Sequence, residues 1–173
     1  MKVNMLFFII FILLGLVMVF LSLLLNIHSN NKVKKCINVI KGEVIKYTLW
    51  NNNGVYFPII QYIVNGVKYT QRLKYGWIVT KSSSFNKIKP EVKNDVNSEN
   101  LVLSKNSHIS TNALEKSFPI GTQLDVYYNP KNPKESYVMR FVKSPCIIVF
   151  LIVGIFFIIL ALIGLLLMPN NIV

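Results

Sequence analysis

Apolar residues fill both ends of this chain without interruption, while in the middle they alternate with polar ones at short range. From Met5 to Leu25 the run MLFFIIFILLGLVMVFLSLLL holds no charge. At about 1.5 Å rise per residue a helix of that length covers the roughly 30 Å hydrocarbon thickness of a bilayer. From Cys146 to Met168, CIIVFLIVGIFFIILALIGLLLM is a second uncharged run. Ser144-Pro145 before it supplies a side-chain N-cap followed by proline at the first helical position. Two transmembrane helices are predicted. The first run exceeds the roughly 7 to 15 apolar residues of a cleaved signal peptide, and no small-x-small cleavage site follows it.

The middle predicts strands. KGEVIKYTLW, Lys41 to Trp50, is a β-branched and aromatic run, and Asn51 to Gly54 is a turn cluster. VYFPIIQYIVNGVKYTQRLKY then reads as two strands joined at Asn65-Gly66, a dipeptide that tolerates the positive φ angles of a type I′ turn. Tyr62 and Val64 alternate with Ile63 across that turn from Val67, Lys68 and Tyr69, so one face packs while the other is wet. From Thr80 to Lys116 the chain is rich in Ser, Asn and Lys and predicts a long loop or insertion. Flexible loop is the plainer reading of its end, near Ser110 to Lys116, with a short helix as the alternative, capped by Ser110 or Thr111 with Glu115 in its first turn. FPIGTQLDVYYNPKNPKESYVMRFV returns to strand chemistry, with Leu124, Val126 and Tyr128 on one face and Asp125 and Tyr127 on the other. There the strand is expected to end at Tyr128. Asn129 and Asn132 cap turns, Pro130 and Pro133 make a rigid corner, and a last strand runs from Ser136 to Val142.

The fold class expected is therefore a mainly β small domain, an antiparallel sandwich or partly open barrel of five to six strands, flanked by two transmembrane α-helices. The boundaries are residues 1–27 for the first helix and 28–143 for a basic β-rich extramembrane domain with a polar insertion at about 80–115. Residues 144–173 form the second helix and a short tail.

Charge adds a side and a surface. Net charge is +12 from 19 Lys+Arg against 7 Asp+Glu, and all of these except Lys2 lie between the two apolar runs. Lys32, Lys34, Lys35 and Lys41 follow the first run, and Lys131, Lys134, Arg140 and Lys143 precede the second. The positive-inside rule then places the domain in the cytoplasm and both termini outside, in a cell membrane crossed twice. The anionic surface of that leaflet attracts nearby Lys and Arg by about 1 kcal/mol each. Lys32, Lys34, Lys35, Lys131, Lys134, Arg140 and Lys143 are thus the candidate contacts for anionic headgroups, with the bilayer and a protein as expected partners. Nucleic acid is not expected, because Tyr and Trp beside a bilayer belong to interfacial belts and Lys to wet edge strands.

Catalytic and metal chemistry find no foothold. Cys36, Cys146, His28 and His108 are too scattered for zinc, neither His has the context of a base, and there is no phosphate-binding glycine loop. No catalytic, metal or cofactor-binding residue is assigned. In an oxidising compartment Cys36 and Cys146 could pair; two unrelated thiols is the plainer reading. Gly154, Ala161 and Gly164 in the second run, and Gly15 in the first, allow close helix approach.

The strand beginning GEVI, the segment YFPIIQYIVNGVKYT, and FPIGTQLDVYYNPKNPKES before a closing helix together resemble the bacterial family called domain of unknown function 3592. The resemblance runs from Gly42 to the second helix. It implies a small all-β domain beside a membrane and brings no activity or catalytic residues with it. The leading functional expectation is a non-catalytic binding or assembly module held at the bilayer surface. Two alternatives stand beside it: an immunity-like protein protecting its host from a toxin, and a membrane-anchored hydrolase or transferase acting on lipid or envelope substrate. The last would gather Asp125, Glu135, His108 or Tyr127 in a pocket.

Overall fold

A computed structural model describes residues 2–49, 55–83, 91–106 and 112–167. In chain order it contains α1 (Lys2–Lys35), β1 (Asn38–Tyr47), β2 (Pro58–Val64), β3 (Val67–Arg72), β4 (Ile78–Ser83) and β5 (Glu91–Val92). There follow β6 (Leu101–Asn106), α2 (Ala113–Ser117), β7 (Gln123–Asn129), β8 (Asn132–Val138) and α3 (Cys146–Leu166). By contacts the chain divides into a β unit, Asn31–Lys143, and a helical unit made of the segments up to Asn30 and from Ser144 onward.

In the helical unit, α1 has 34 residues and α3 has 21. At 1.5 Å per residue they reach about 50 Å and about 30 Å, and both are long and apolar enough to cross a membrane. The helix α1 thus continues some way past the apolar run that ends at Leu25. Gly15 and Gly154 meet across the pair, as the small-residue spacing led us to expect. A Cβ on Gly15 would lie 2.8 Å from the carbonyl oxygen of Gly154, and one on Gly154 equally close to that of Gly15. Ser22, buried, donates its hydroxyl to the Ile147 carbonyl at 2.7 Å, a carbonyl of the first turn of α3. The expected side-chain cap at Ser144 is not made. Pro145 occupies the cap position without a side-chain bond, and the Ser144 backbone carbonyl accepts from Ile147 N–H instead.

The β unit is built on a five-stranded antiparallel sheet in the order β3-β2-β1-β7-β8. The sheet curls until its two edges approach: Gln71 on β3 donates its side-chain amide to the Ser136 carbonyl on β8. This is the partly open barrel expected. The turn between β2 and β3 is also as read from sequence. Asn65 (φ 52°) and Gly66 (φ 77°) both sit at positive φ, and Val64 faces Val67 across the turn.

Inside the curl lie Val44, Ile60, Tyr62, Leu124, Val126 and Val138, all buried. Strand alternation delivers them: β2 buries Pro58, Ile60, Tyr62 and Val64 while the residues between face outward or half outward. The same core receives Leu101 and Leu103 from β6 and Leu114 and Phe118 from α2 and its C-terminal flank.

Several boundaries differ from expectation. β1 begins at Asn38, three residues before the strand run expected from Lys41. The Thr80–Lys116 segment, read as loop, carries a second sheet in the order β4-β6-β5, with β4 and β6 parallel. Its polar composition hid a strand whose alternate residues, Leu101 and Leu103, are core. The helix near residue 113 exists, but Asn112 is its cap, accepting from Leu114 N–H at 3.3 Å. Ser110 and Thr111, the expected caps, lie outside the described residues, as do the Asn51–Gly54 turn and His108.

The Asn-Pro corner is a tight hairpin rather than a strand end. β7 runs on to Asn129 and β8 starts at Asn132, with Pro130-Lys131 between. Buried Asn129 fixes the turn: its side-chain oxygen accepts from Lys131 N–H at 3.0 Å and its amide donates to Glu135 at 2.8 Å. Pro133 is accommodated inside β8 because β8 is an edge strand and its pairing shifts there, from Asn129↔Asn132 to Tyr128↔Ser136.

Candidate cationic clefts

The seven basic residues singled out from sequence are not gathered at one place. Lys34 and Lys35, at the end of α1, and Lys131, in the β7–β8 hairpin, line one open cleft of about 490 Å³ together with Ile37, Asn129 and Glu135. Lys134 and Lys143 are exposed. Lys32 and Arg140 belong to a different, narrower cleft whose other charged members, Arg72 and Lys74, were not among the expected headgroup contacts but belong to the basic and aromatic run set aside as a nucleic-acid face.

The first cleft depends on the hairpin just described. Asn129 holds both the Lys131 backbone and the Glu135 carboxylate, so Lys131 projects from a turn fixed at its base. Next to it, the Cys36 thiol donates to the Glu135 carbonyl at 3.2 Å. Burial pushes that thiol above its ordinary value; the Lys32 charge opposes the shift and the Glu135 charge adds to it. Cys36 is buried, Cys146 is exposed, and both are free thiols.

The second cleft is far tighter, about 30 Å³ where the first has about 490 Å³. Its floor is a buried polar network. Tyr62 and Ser136 share a hydroxyl–hydroxyl bond of 2.8 Å, Tyr62 also donates to the Pro133 carbonyl, and Gln71 donates to both oxygens of Ser136. Burial raises the Tyr62 phenol, against the lowering effect of its Ser136 bond. At the rim, Lys74 exposes much of its side chain, yet desolvation first, and then the Lys32 and Arg72 charges, lower its ammonium from the ordinary value.

Arg140 is the unusual member. Its guanidinium carbon lies 4.6 Å from the centre of the Tyr75 ring, and all three guanidinium nitrogens are sealed from solvent without a hydrogen-bond acceptor. Burial raises the Tyr75 phenol, while the adjacent Arg140 lowers it; the phenol itself donates to the Val96 carbonyl at 2.8 Å. The backbone that carries Arg140 is bent sharply. Met139 has φ 59°, and the Arg140 N–H donates to the Val138 carbonyl at 2.6 Å, the i to i+2 closure of a γ-turn with positive φ at its centre.

The groups named for a hydrolytic pocket are engaged separately. Asp125 pairs with Lys41 at 2.7 Å on an exposed part of the sheet. Tyr127 stacks on Tyr137, centroids 5.0 Å apart, and Glu135 is held by Asn129. His28 is exposed on α1. Among the described residues no three His, Cys, Asp or Glu side chains gather as a metal site.

No curated protein and no solved structure matches this chain. A family model does match, over residues 100–143, a stretch that contains β6, α2, the β7–β8 hairpin and Arg140. The GEVI and VNGVKY segments lie outside it. On residues 100–143, then, the family resemblance read from the sequence holds, and the family is the one described as Domain of unknown function (DUF3592).

Proposed function

We propose that this chain is a twice-spanning membrane protein whose β unit is a non-catalytic binding module for an anionic bilayer surface. The observation that carries the reading is the convergence of Lys34, Lys35 and Lys131 on one open cleft. Two of these lysines close the last turn of α1 and the third comes from the far end of the chain's β segment, held there by a hairpin that Asn129 organises. Three ammonium groups around an open, wet depression suit diffuse attraction to lipid phosphates, each contributing about 1 kcal/mol near an anionic leaflet. With a cytoplasmic β unit, the excess of Lys over Asp and Glu in this part of the chain is also the topology signal.

The test uses the full chain in nanodiscs of mixed phosphatidylcholine and phosphatidylglycerol, with native mass spectrometry reading which lipids stay bound. Enrichment of the anionic lipid that falls in the Lys34→Gln/Lys35→Gln/Lys131→Gln variant is expected. Equal retention of both lipids by the unaltered chain would rule the reading out. Labelling of a cysteine introduced at Ser98 in intact cells reads the side, and a cytoplasmic β unit predicts protection from an impermeant reagent.

A further inference from the structure

We propose that the cleft lined by Lys32, Arg72, Lys74 and Arg140 is a specific oxyanion site that takes a phosphate group. This deepens the reading of the β unit as a binding module and rests on it, but it concerns a different set of residues from the open lysine cleft.

Four cations from three parts of the chain line one narrow cleft, and among the described residues no carboxylate lines it with them. Like charges gathered without counter-charge repel one another, and the Lys74 ammonium, lowered first by desolvation, is lowered further by the Lys32 and Arg72 charges. Elsewhere on the same sheet the chain pairs its charges, as with Lys41 and Asp125. Asp95, whose charge acts on the Tyr75 phenol, uses a carboxylate oxygen to accept from Asn97 N–H at 2.9 Å.

Independently of that charge count, Arg140 places a permanent cation where its nitrogens reach neither solvent nor a well-aligned acceptor, with the Tyr75 ring face against it and the Tyr75 phenol oxygen, whose proton its charge helps to release, as its nearest polar neighbour. A sealed, unpaired guanidinium is costly, and a ring face compensates it only in part. Its placement is also imposed by a strained residue, Met139 at positive φ, rather than by relaxed strand geometry. Strain and an unpaired charge at one point are accounted for together if an anion completes the arrangement. Lys32, Arg72 and Lys74 then make the direct contacts from the cleft mouth, and Arg140 acts from behind the wall, through a low-dielectric interior where its field is weakly screened. Phosphate fits better than a carboxylate because a tetrahedral group presents acceptors in several directions to donors arriving from separate elements.

Lipid headgroup and free phosphate share this chemistry, and the experiment separates them. The full chain in phosphatidylcholine nanodiscs is titrated with inorganic phosphate, with sodium chloride at matched ionic strength as control, and binding is followed by calorimetry. In a second arm, nanodiscs containing phosphatidic acid are read by native mass spectrometry. Each arm compares the unaltered chain with Arg72→Gln/Lys74→Gln, whose altered side chains are largely exposed, and with Arg140→Lys and Arg140→Gln, all checked for retained fold by circular dichroism. We expect saturable binding in at least one arm, weakened at least tenfold in Arg72→Gln/Lys74→Gln and retained better in Arg140→Lys than in Arg140→Gln. Binding of free phosphate identifies a soluble ligand, and binding of phosphatidic acid alone identifies a headgroup. No saturable binding in either arm, or binding equal in all variants, overturns the proposal. The Lys34→Gln/Lys35→Gln/Lys131→Gln chain distinguishes the two readings: loss of bulk phosphatidylglycerol enrichment there with cleft binding intact leaves this site standing on its own.

Discussion

The hydroxyl of Tyr62 on β2 lies 2.8 Å from that of Ser136 on β8, although two strands, β1 and β7, separate β2 from β8 in the sheet. The bond crosses the interior of the curled sheet, and both residues are buried. A phenol has one hydrogen, which Tyr62 gives to the Pro133 carbonyl; the Ser136 hydroxyl can then donate to the phenol oxygen while Gln71 donates to Ser136. Every member is satisfied by another. Tyr62→Phe keeps the ring and removes the oxygen, leaving the Pro133 carbonyl without the phenol's hydrogen and the Ser136 hydroxyl hydrogen without an acceptor, at a cost of about 1–3 kcal/mol. Thermal unfolding of the full chain in detergent, followed by near-ultraviolet circular dichroism, is expected to show a lower Tm. An unchanged Tm would mean that the crossing bond contributes nothing to closure.

The phenols, of which Tyr62 is buried and three more are half-buried, also predict how stability responds to alkali. Desolvation is the first cause of the raised values of Tyr47, Tyr62, Tyr75 and Tyr137. In the unfolded chain each gives up its proton near 10, before the folded chain does, so the folded state holds more protons and loses stability as pH rises above 10. Lys74 works in the opposite sense. Its folded value is lowered, so the unfolded chain holds the extra proton and stability rises with pH up to about 10.5. Four phenols against one largely exposed amine predict a net fall in Tm between pH 10 and 11, shallower in Tyr62→Phe. A Tm that rises over that interval would contradict the sign.

Cys36 gives a chemical readout of the same unit. Its thiol is buried, donates to the Glu135 carbonyl and is pushed upward chiefly by desolvation, so the reactive thiolate is both scarce and inaccessible. In a Cys146→Ala chain, alkylation of Cys36 by N-ethylmaleimide at pH 7.5 is expected to run more than about tenfold slower than in the denatured chain, limited by opening of the unit. Equal rates before and after denaturation would show that the thiol is not enclosed.

How far the sequence disclosed this arrangement depended on whether the signal was local. Asn65-Gly66 names its own turn, and the two apolar runs name their own helices, because in each case adjacent residues carry the whole reason. The Asn-Pro corner misled for the opposite reason. Pro133 argues against a strand unless the strand is known to lie at an edge with a shifted register, and that is a property of the assembled sheet. Leu101 and Leu103 were lost in a polar stretch because only two alternate positions of β6 carry its core contribution. Arg140 was visible as one basic residue among several, while its sealed guanidinium follows from the bend at Met139 and the position of Tyr75, which no spacing rule links. A Met at positive φ leaves no mark in sequence, since glycine or asparagine is the usual occupant.

The helix pair offers a test in which glycine is needed for closeness alone. A Cβ on Gly154 would lie 2.8 Å from the Gly15 carbonyl oxygen and equally close to a methyl of Val19, a backbone atom and a stiff β-branched side chain that cannot easily yield. Introducing a side chain there must therefore move the helices apart, at a cost typical of overpacking, about 1–3 kcal/mol. Phe11 and Phe157, whose rings meet edge to face at 5.5 Å, report that separation. In a chain with Cys36 and Cys146 replaced by serine, Phe11→Cys and Phe157→Cys are expected to crosslink on mild oxidation. Gly154→Leu should reduce the yield severalfold, and Val17→Leu, at a position already exposed, should leave it unchanged. If both substitutions leave crosslinking at the starting level, the helices do not depend on Gly15 and Gly154 for their approach, and the phenylalanines or the Ser22 bond to Ile147 must hold them instead.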